Sequence, residues 1–104
     1  MSLDIWLKAT VETTVFDKNI THNLCGMWKE AGIYEALYES KGKTAESVLP
    51  QLEQGLKQMT ESPERFKVFN ASNGWGTYEQ ALPWLAELIE GFKEYPQGII
   101  ETWV

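Results

Sequence analysis

The sequence predicts an α+β fold: N- and C-terminal strands paired in a small antiparallel sheet, with about three main helices packed on it. Two observations carry this prediction. Apolar residues alternate at period two at both ends of the chain, and between those ends they recur every three or four residues. Turn-forming residues punctuate the segments at Gly32, at the SKGK stretch 40–43, at Ser62–Pro63, at Asn73–Gly76 and at YPQG, 95–98. A length of 104 residues fits one compact domain, 1–104.

The first strand is expected over residues 3–11. Leu3, Ile5, Leu7, Ala9 and Val11 share one face, and Asp4, Trp6, Lys8 and Thr10 share the other. The following VFDKNIT breaks the pattern with Asp17 and Asn19, both good turn and cap residues, and reads as a turn. From Thr21 to about Ala31 the spacing is helical, through Ile20, Leu24, Met27, Trp28 and Ala31. Asn19 or Thr21 can cap its start, and Gly32 stops it. Ile33, Tyr34, Leu37 and Tyr38 supply one or two further turns. Thr44 opens the second main helix, with a stripe of Ala45, Val48, Leu49, Leu52, Leu56 and Met59; Pro50 inside it predicts a kink. Ser62 and Pro63 begin a short helical turn. The third main helix runs over about 78–94, with Thr77 and Gln80 at capping-box spacing and Pro83 placed to bend it near its start. The stretch IIETWV, 99–104, is the second strand: Ile100, Thr102 and Val104 face one way, Ile99, Glu101 and Trp103 the other. Two strands alone are marginal, so the sheet needs cover or extension, from segment 66–70 or from a second copy.

Charge and cysteine usage exclude several classes of function. Acidic residues outnumber basic ones 15 to 9, and the cations are scattered, so a nucleic-acid phosphate backbone is no partner. No apolar run approaches the length of a membrane span, and the N-terminal stretch lacks a basic region followed by an apolar core. The single cysteine, Cys25, can form no internal disulfide and no structural zinc site. A reducing, cytoplasmic location without metal or cofactor is therefore expected.

Three stretches carry candidate chemistry. In NITHNLCGMW, His22 stands three residues before Cys25, on a shared helix face near a helix start. A Cys–His nucleophile needs an orienting acid and an oxyanion hole, and the sequence identifies neither. A buried Cys with His22 bonded to a loop is the plainer reading. The cluster Asn19, Thr21, His22 and Asn23 suits backbone capping first and a polar pocket wall second. In NGWGTYEQ, the glycines permit positive φ ahead of a helix; the stretch lacks the glycine spacing and lysine of a phosphate loop. Trp75 is expected to plug the core or lie over the sheet, with a ligand lid bearing Asn73 and Tyr78 as the alternative. Among the five tryptophans, Trp28 and Trp84 read as core. Trp6 and Trp103, with Ile99, fall on the outer strand face, where exposed aromatics mark an interface with a partner or a second copy. The carboxylates Glu12, Asp17, Glu30, Glu35 and Glu39 are spread out and read as solvated surface.

DKNITHNL, AGIY and NGWGTYE, in this order, resemble segments of a group of small uncharacterised bacterial and phage-type proteins. The likeness spans Leu3 to Pro96 and rests on Asn19, Thr21, His22, Asn23, Gly32, Tyr34, Asn73, Gly74, Trp75, Gly76, Thr77 and Tyr78. It implies one domain whose two polar stretches belong to a common design, and it brings no activity with it.

The expectation from sequence is a small non-enzymatic binding or interaction protein that self-associates or binds a protein partner through Trp6, Ile99 and Trp103. The alternative is a small-molecule site, enzymatic or not, where the NITHN helix start meets NGWGTY, built from His22, Asn23, Asn73, Trp75 and Tyr78.

Overall fold

The structure, a computed structural model, describes residues 2–9 and 13–104. The expected strand positions Thr10 and Val11, and Glu12 among the carboxylates, lie outside those residues. Strand β1 (Ser2–Lys8) is the centre of a three-stranded antiparallel sheet, flanked by β2 (Thr14–Thr21) and β3 (Ile99–Trp103). The N- and C-terminal strands pair as expected, with Asp4 opposite Trp103 and Lys8 opposite Ile99. Leu3, Ile5, Leu7 and Ile100 are wholly buried on the helix-covered side. The alternation of β1 thus matches a sheet with one wet face.

The sheet corrects the sequence reading in three places. The first strand stops at Lys8; Ala9 is an exposed bend whose N–H donates to Thr13 O at 2.9 Å. The VFDKNIT stretch is not a turn but the body of β2, paired along β1 from Thr21 opposite Ser2 to Phe16 opposite Leu7. A bulge follows, since Lys8 faces Thr14. The sheet is therefore extended by residues 14–21 of the same chain. Segment 66–70 plays no part in it: Phe66 belongs to a helix and is fully buried.

A 3₁₀ turn (His22–Leu24) leads into α1 (Cys25–Glu30), so the helix expected over 21–31 is two short pieces. Helices α2 (Tyr34–Tyr38), α3 (Ala45–Glu61), α4 (Pro63–Lys67) and α5 (Tyr78–Glu94) follow, with Pro50 and Pro83 inside the two long ones. The core is one cluster in which Trp28 and Trp84 meet at 5.7 Å between ring centroids. Each large side chain taken from water there contributes about 1.5–3 kcal/mol. The N-terminus of α3 is tied to the chain end: Ala45 N–H donates to Gly98 O and Glu46 N–H to Pro96 O, both at 2.9 Å. Arg65 closes α1 from outside, donating from Nε to Glu30 Oε2 at 2.6 Å and from Nη2 to Glu30 O at 3.0 Å. Among the described residues no helix is long and apolar enough to cross a membrane.

Sheet and helix layer meet where Phe16 of β2 lies against Gly91 of α5, its ring edge-on to Phe92 at 6.3 Å. A Cβ at Gly91 would collide with the Phe16 ring. In an open helix Gly→Ala stabilises by about 1 kcal/mol. Here Gly91→Ala is expected to destabilise by about 1–3 kcal/mol through overpacking. A lower urea midpoint at unchanged slope is the expected result, with partial recovery in Gly91→Ala combined with Phe16→Leu.

Candidate functional site

The two polar stretches meet. Asn23 Nδ2 donates to Trp75 O at 2.7 Å, across 52 residues of sequence. The approach is close because Gly76 has no side chain: a Cβ there would lie 2.9 Å from Asn23 Cβ. Gly74 and Gly76 also hold φ at 78° and 110°, the left-handed region that glycine alone adopts without strain.

The loop 73–76 is pinned on all sides. Asn73 Oδ1 accepts from Trp75 N–H at 2.9 Å, and Ala71 N–H donates to Gly76 O at 3.0 Å. Gln80 Oε1 accepts from Gly76 N–H at 2.8 Å and Thr77 N–H at 3.1 Å, completing with Thr77 the capping box that their spacing predicts. Asn70 Oδ1 takes the N–H of Tyr78 at 2.7 Å. Backbone groups that solvent would otherwise have to satisfy are thus held by protein. The Trp75 ring, however, is 71% exposed. It neither plugs the core nor lies over the sheet, correcting the sequence expectation: its backbone is anchored and its side chain stands in water beside an open groove of about 590 Å³.

That groove brings together Asn23, Asn73 and Trp75 of the expected ligand residues, and adds Asn19, Thr21 and Gln80. Tyr78 is elsewhere: it is buried, and its hydroxyl donates to Met59 O at 2.7 Å, fastening α5 to α3. His22 does not line the groove either. Its Nδ1 lies 2.8 Å from Tyr38 Oη, to which Cys25 Sγ donates at 3.3 Å. Both contacts fall on the one phenol oxygen, and the imidazole tautomer sets which of His22 and Tyr38 donates to the other. Cys25 and His22 are therefore joined through Tyr38, which stacks at 4.6 Å on Tyr34. The imidazole's partner is a phenol rather than an orienting carboxylate. Burial, then the Cys25 hydrogen bond and the charges of Cys25 and Tyr34, push the Tyr38 hydroxyl above the usual phenol range.

On the uncovered sheet face, cross-strand pairing sets Trp6 between Asp17 and Glu101, and Asp4 between Asn19 and Trp103. Trp6 is half-buried, Trp103 71% exposed and Ile99 37% exposed. This face carries a second open depression, lined by Asp4, Trp6, Asp17 and Trp103 among others. Asn19 borders both surfaces. Its Nδ2 donates to Asp4 Oδ1 and to Ser2 Oγ, and its backbone carbonyl accepts from Trp84 Nε1 at 3.0 Å. Sequence reasoning placed Asn19 as a cap first and a pocket wall second, and missed these bonds because the partners come from β1 and α5. Asn70 left no local signal at all. No protein-family model, curated protein or solved structure matches the chain.

Gly76→Ala is expected to cost about 1–3 kcal/mol, from backbone strain plus the clash with Asn23. Gly74→Ala, with open space around its Cβ, should cost about 1 kcal/mol, so the melting temperatures order wild type, Gly74→Ala, Gly76→Ala. Because the fold favours the neutral Tyr38 phenol, that contribution is complete below about pH 10 and is lost as pH climbs from there through the raised value. In a phenolate absorbance titration one of the four tyrosines should ionise last, and Tyr38→Phe should remove that step.

Proposed function

We propose that this protein acts by binding another protein through the open face of its sheet, with a second copy of the chain as the first partner to consider. One observation carries the reading. Helices cover only one side of the sheet, and the other side sets the exposed Trp103 diagonally beside Trp6, with Ile99 on the opposite diagonal, two residues before Glu101 on β3. Large aromatics left in water on a rigid sheet supply contact area at little entropic cost, as interface anchors do. No catalytic role is proposed: among the described residues the imidazole, phenol and thiol are linked into one chain without an acid bonded to the imidazole.

Self-association should appear in sedimentation equilibrium as a concentration-dependent dimer. Trp103→Ala or Trp6→Ala should weaken it by about tenfold or more, the loss typical of an interface anchor. Each copy carries −6, and Asp4, Asp17 and Glu101 lie around the tryptophans, so added salt should strengthen a homodimer by screening repulsion. A complex with a basic partner would weaken with salt instead. A chain that stays monomeric at the highest accessible concentration in salt removes the second copy as partner.

A further inference from the structure

We propose that the groove between the end of β2 and the Trp75 loop is a binding site for a neutral polyhydroxylated ligand, a saccharide. The inference is independent of the sheet-face reading and rests on three features.

The first is charge. Among the described residues, none of the side chains lining the groove is ionisable, on a chain in which 23% of residues are charged. A phosphorylated or ionic ligand would find no counter-charge in the wall, whereas an uncharged one loses nothing by its absence.

The second is the orientation of the amides, each fixed at one end by a protein partner. Asn23 spends Nδ2 on Trp75 O, leaving Oδ1 as an acceptor. Asn19 spends Nδ2 on Ser2 and Asp4, also leaving Oδ1. Asn73 spends Oδ1 on Trp75 N–H, leaving Nδ2 as a donor. Among the described residues the wall therefore offers acceptors and a donor in set positions. A hydroxyl group both gives and takes a hydrogen bond, so adjacent hydroxyls on one ligand can meet both kinds. Because the amides are already held, binding requires little further ordering.

The third is Trp75. Its ring is exposed while its backbone is bonded on both sides, to Asn73 and Asn23. The C–H face of a pyranose is apolar and faintly positive, and it suits the negative face of an indole. A few placed polar groups beside one aromatic platform are what an orienting small-molecule site requires.

The test uses the full chain, ¹⁵N-labelled, titrated with glucose, galactose, mannose, N-acetylglucosamine and cellotetraose, and separately with adenosine and thymidine. A saccharide should move the Trp75 indole signal, assigned by its loss in Trp75→Phe. Trp75→Ala should weaken the binding by about tenfold or more while the fold survives, since the ring is mostly in solvent. Asn73→Asp keeps the acceptor for Trp75 N–H but removes the free donor; it should lose saccharide binding with the melting temperature retained. Trp6→Ala should leave saccharide binding unchanged, which separates this site from the sheet face. The proposal is overturned if no saccharide shifts Trp75 or its neighbours at tens of millimolar (roughly the weakest useful affinity). It is equally overturned if the nucleosides shift them and the saccharides do not, or if Trp75→Ala binds as the wild type does.

Discussion

Pairing of residues 4–8 with residues 99–103 is the constraint on which the other parts depend. It makes β1 a central strand, so that Leu3, Ile5 and Leu7 can be wholly buried. The same C-terminal strand organises the segment before α3. Gly42 N–H donates to Ile100 O and Ile100 N–H to Lys43 O, both at 2.8 Å, while Gly98 and Pro96 hold the first N–H groups of α3. One edge of the sheet and the start of a 17-residue helix thus rest on the last few residues of the chain. Contacts this distant in sequence carry the loop-closure cost that makes folding slow.

The two candidate surfaces are rigid for related reasons. Asn19 binds its neighbours on β1 through its side chain and α5 through its backbone carbonyl, while the Trp75 loop is held by Asn23, Asn73, Gln80 and Ala71. An exposed aromatic on a mobile loop would lose entropy on binding. One whose backbone bonds are already satisfied has little left to lose. The acidic carboxylates and the aromatics share the sheet face, whereas the described residues lining the groove carry no charge, so the two surfaces suit different chemistries.

Much of this was legible in the sequence wherever one periodicity dominated. The bounds of α5, its Thr77–Gln80 cap and the two faces of β1 and β3 follow from spacing alone. β2 was hidden because its pattern is mixed. Phe16 and Ile20 point to the helix side as an alternating strand requires, but Lys18 sits between them where a buried apolar residue is expected, and Asp17 and Asn19 look like turn residues. The meeting of NITHN with NGWGTY was a matter of tertiary geometry; sequence could name Asn23, Asn73 and Trp75 but not separate them from His22 and Tyr78. Those two are drawn off by Tyr38 Oη and Met59 O, partners that no local rule points to.

Lys18 has a consequence for how this molecule behaves in a crowd. It is paired with Ile5 and so lies on the helix side of an outermost strand, only 20% exposed, with Nζ 2.8 Å from Glu87 of α5. A neighbouring strand adding to β2, whether from another copy or from an unfolded chain, would press its apolar side chains against an ammonium already committed to a carboxylate. A charge placed there is the kind of device that discourages further strands from adding to a sheet edge. The lysine that concealed β2 from pattern reading thus also sets a charge against strand addition along that outer edge.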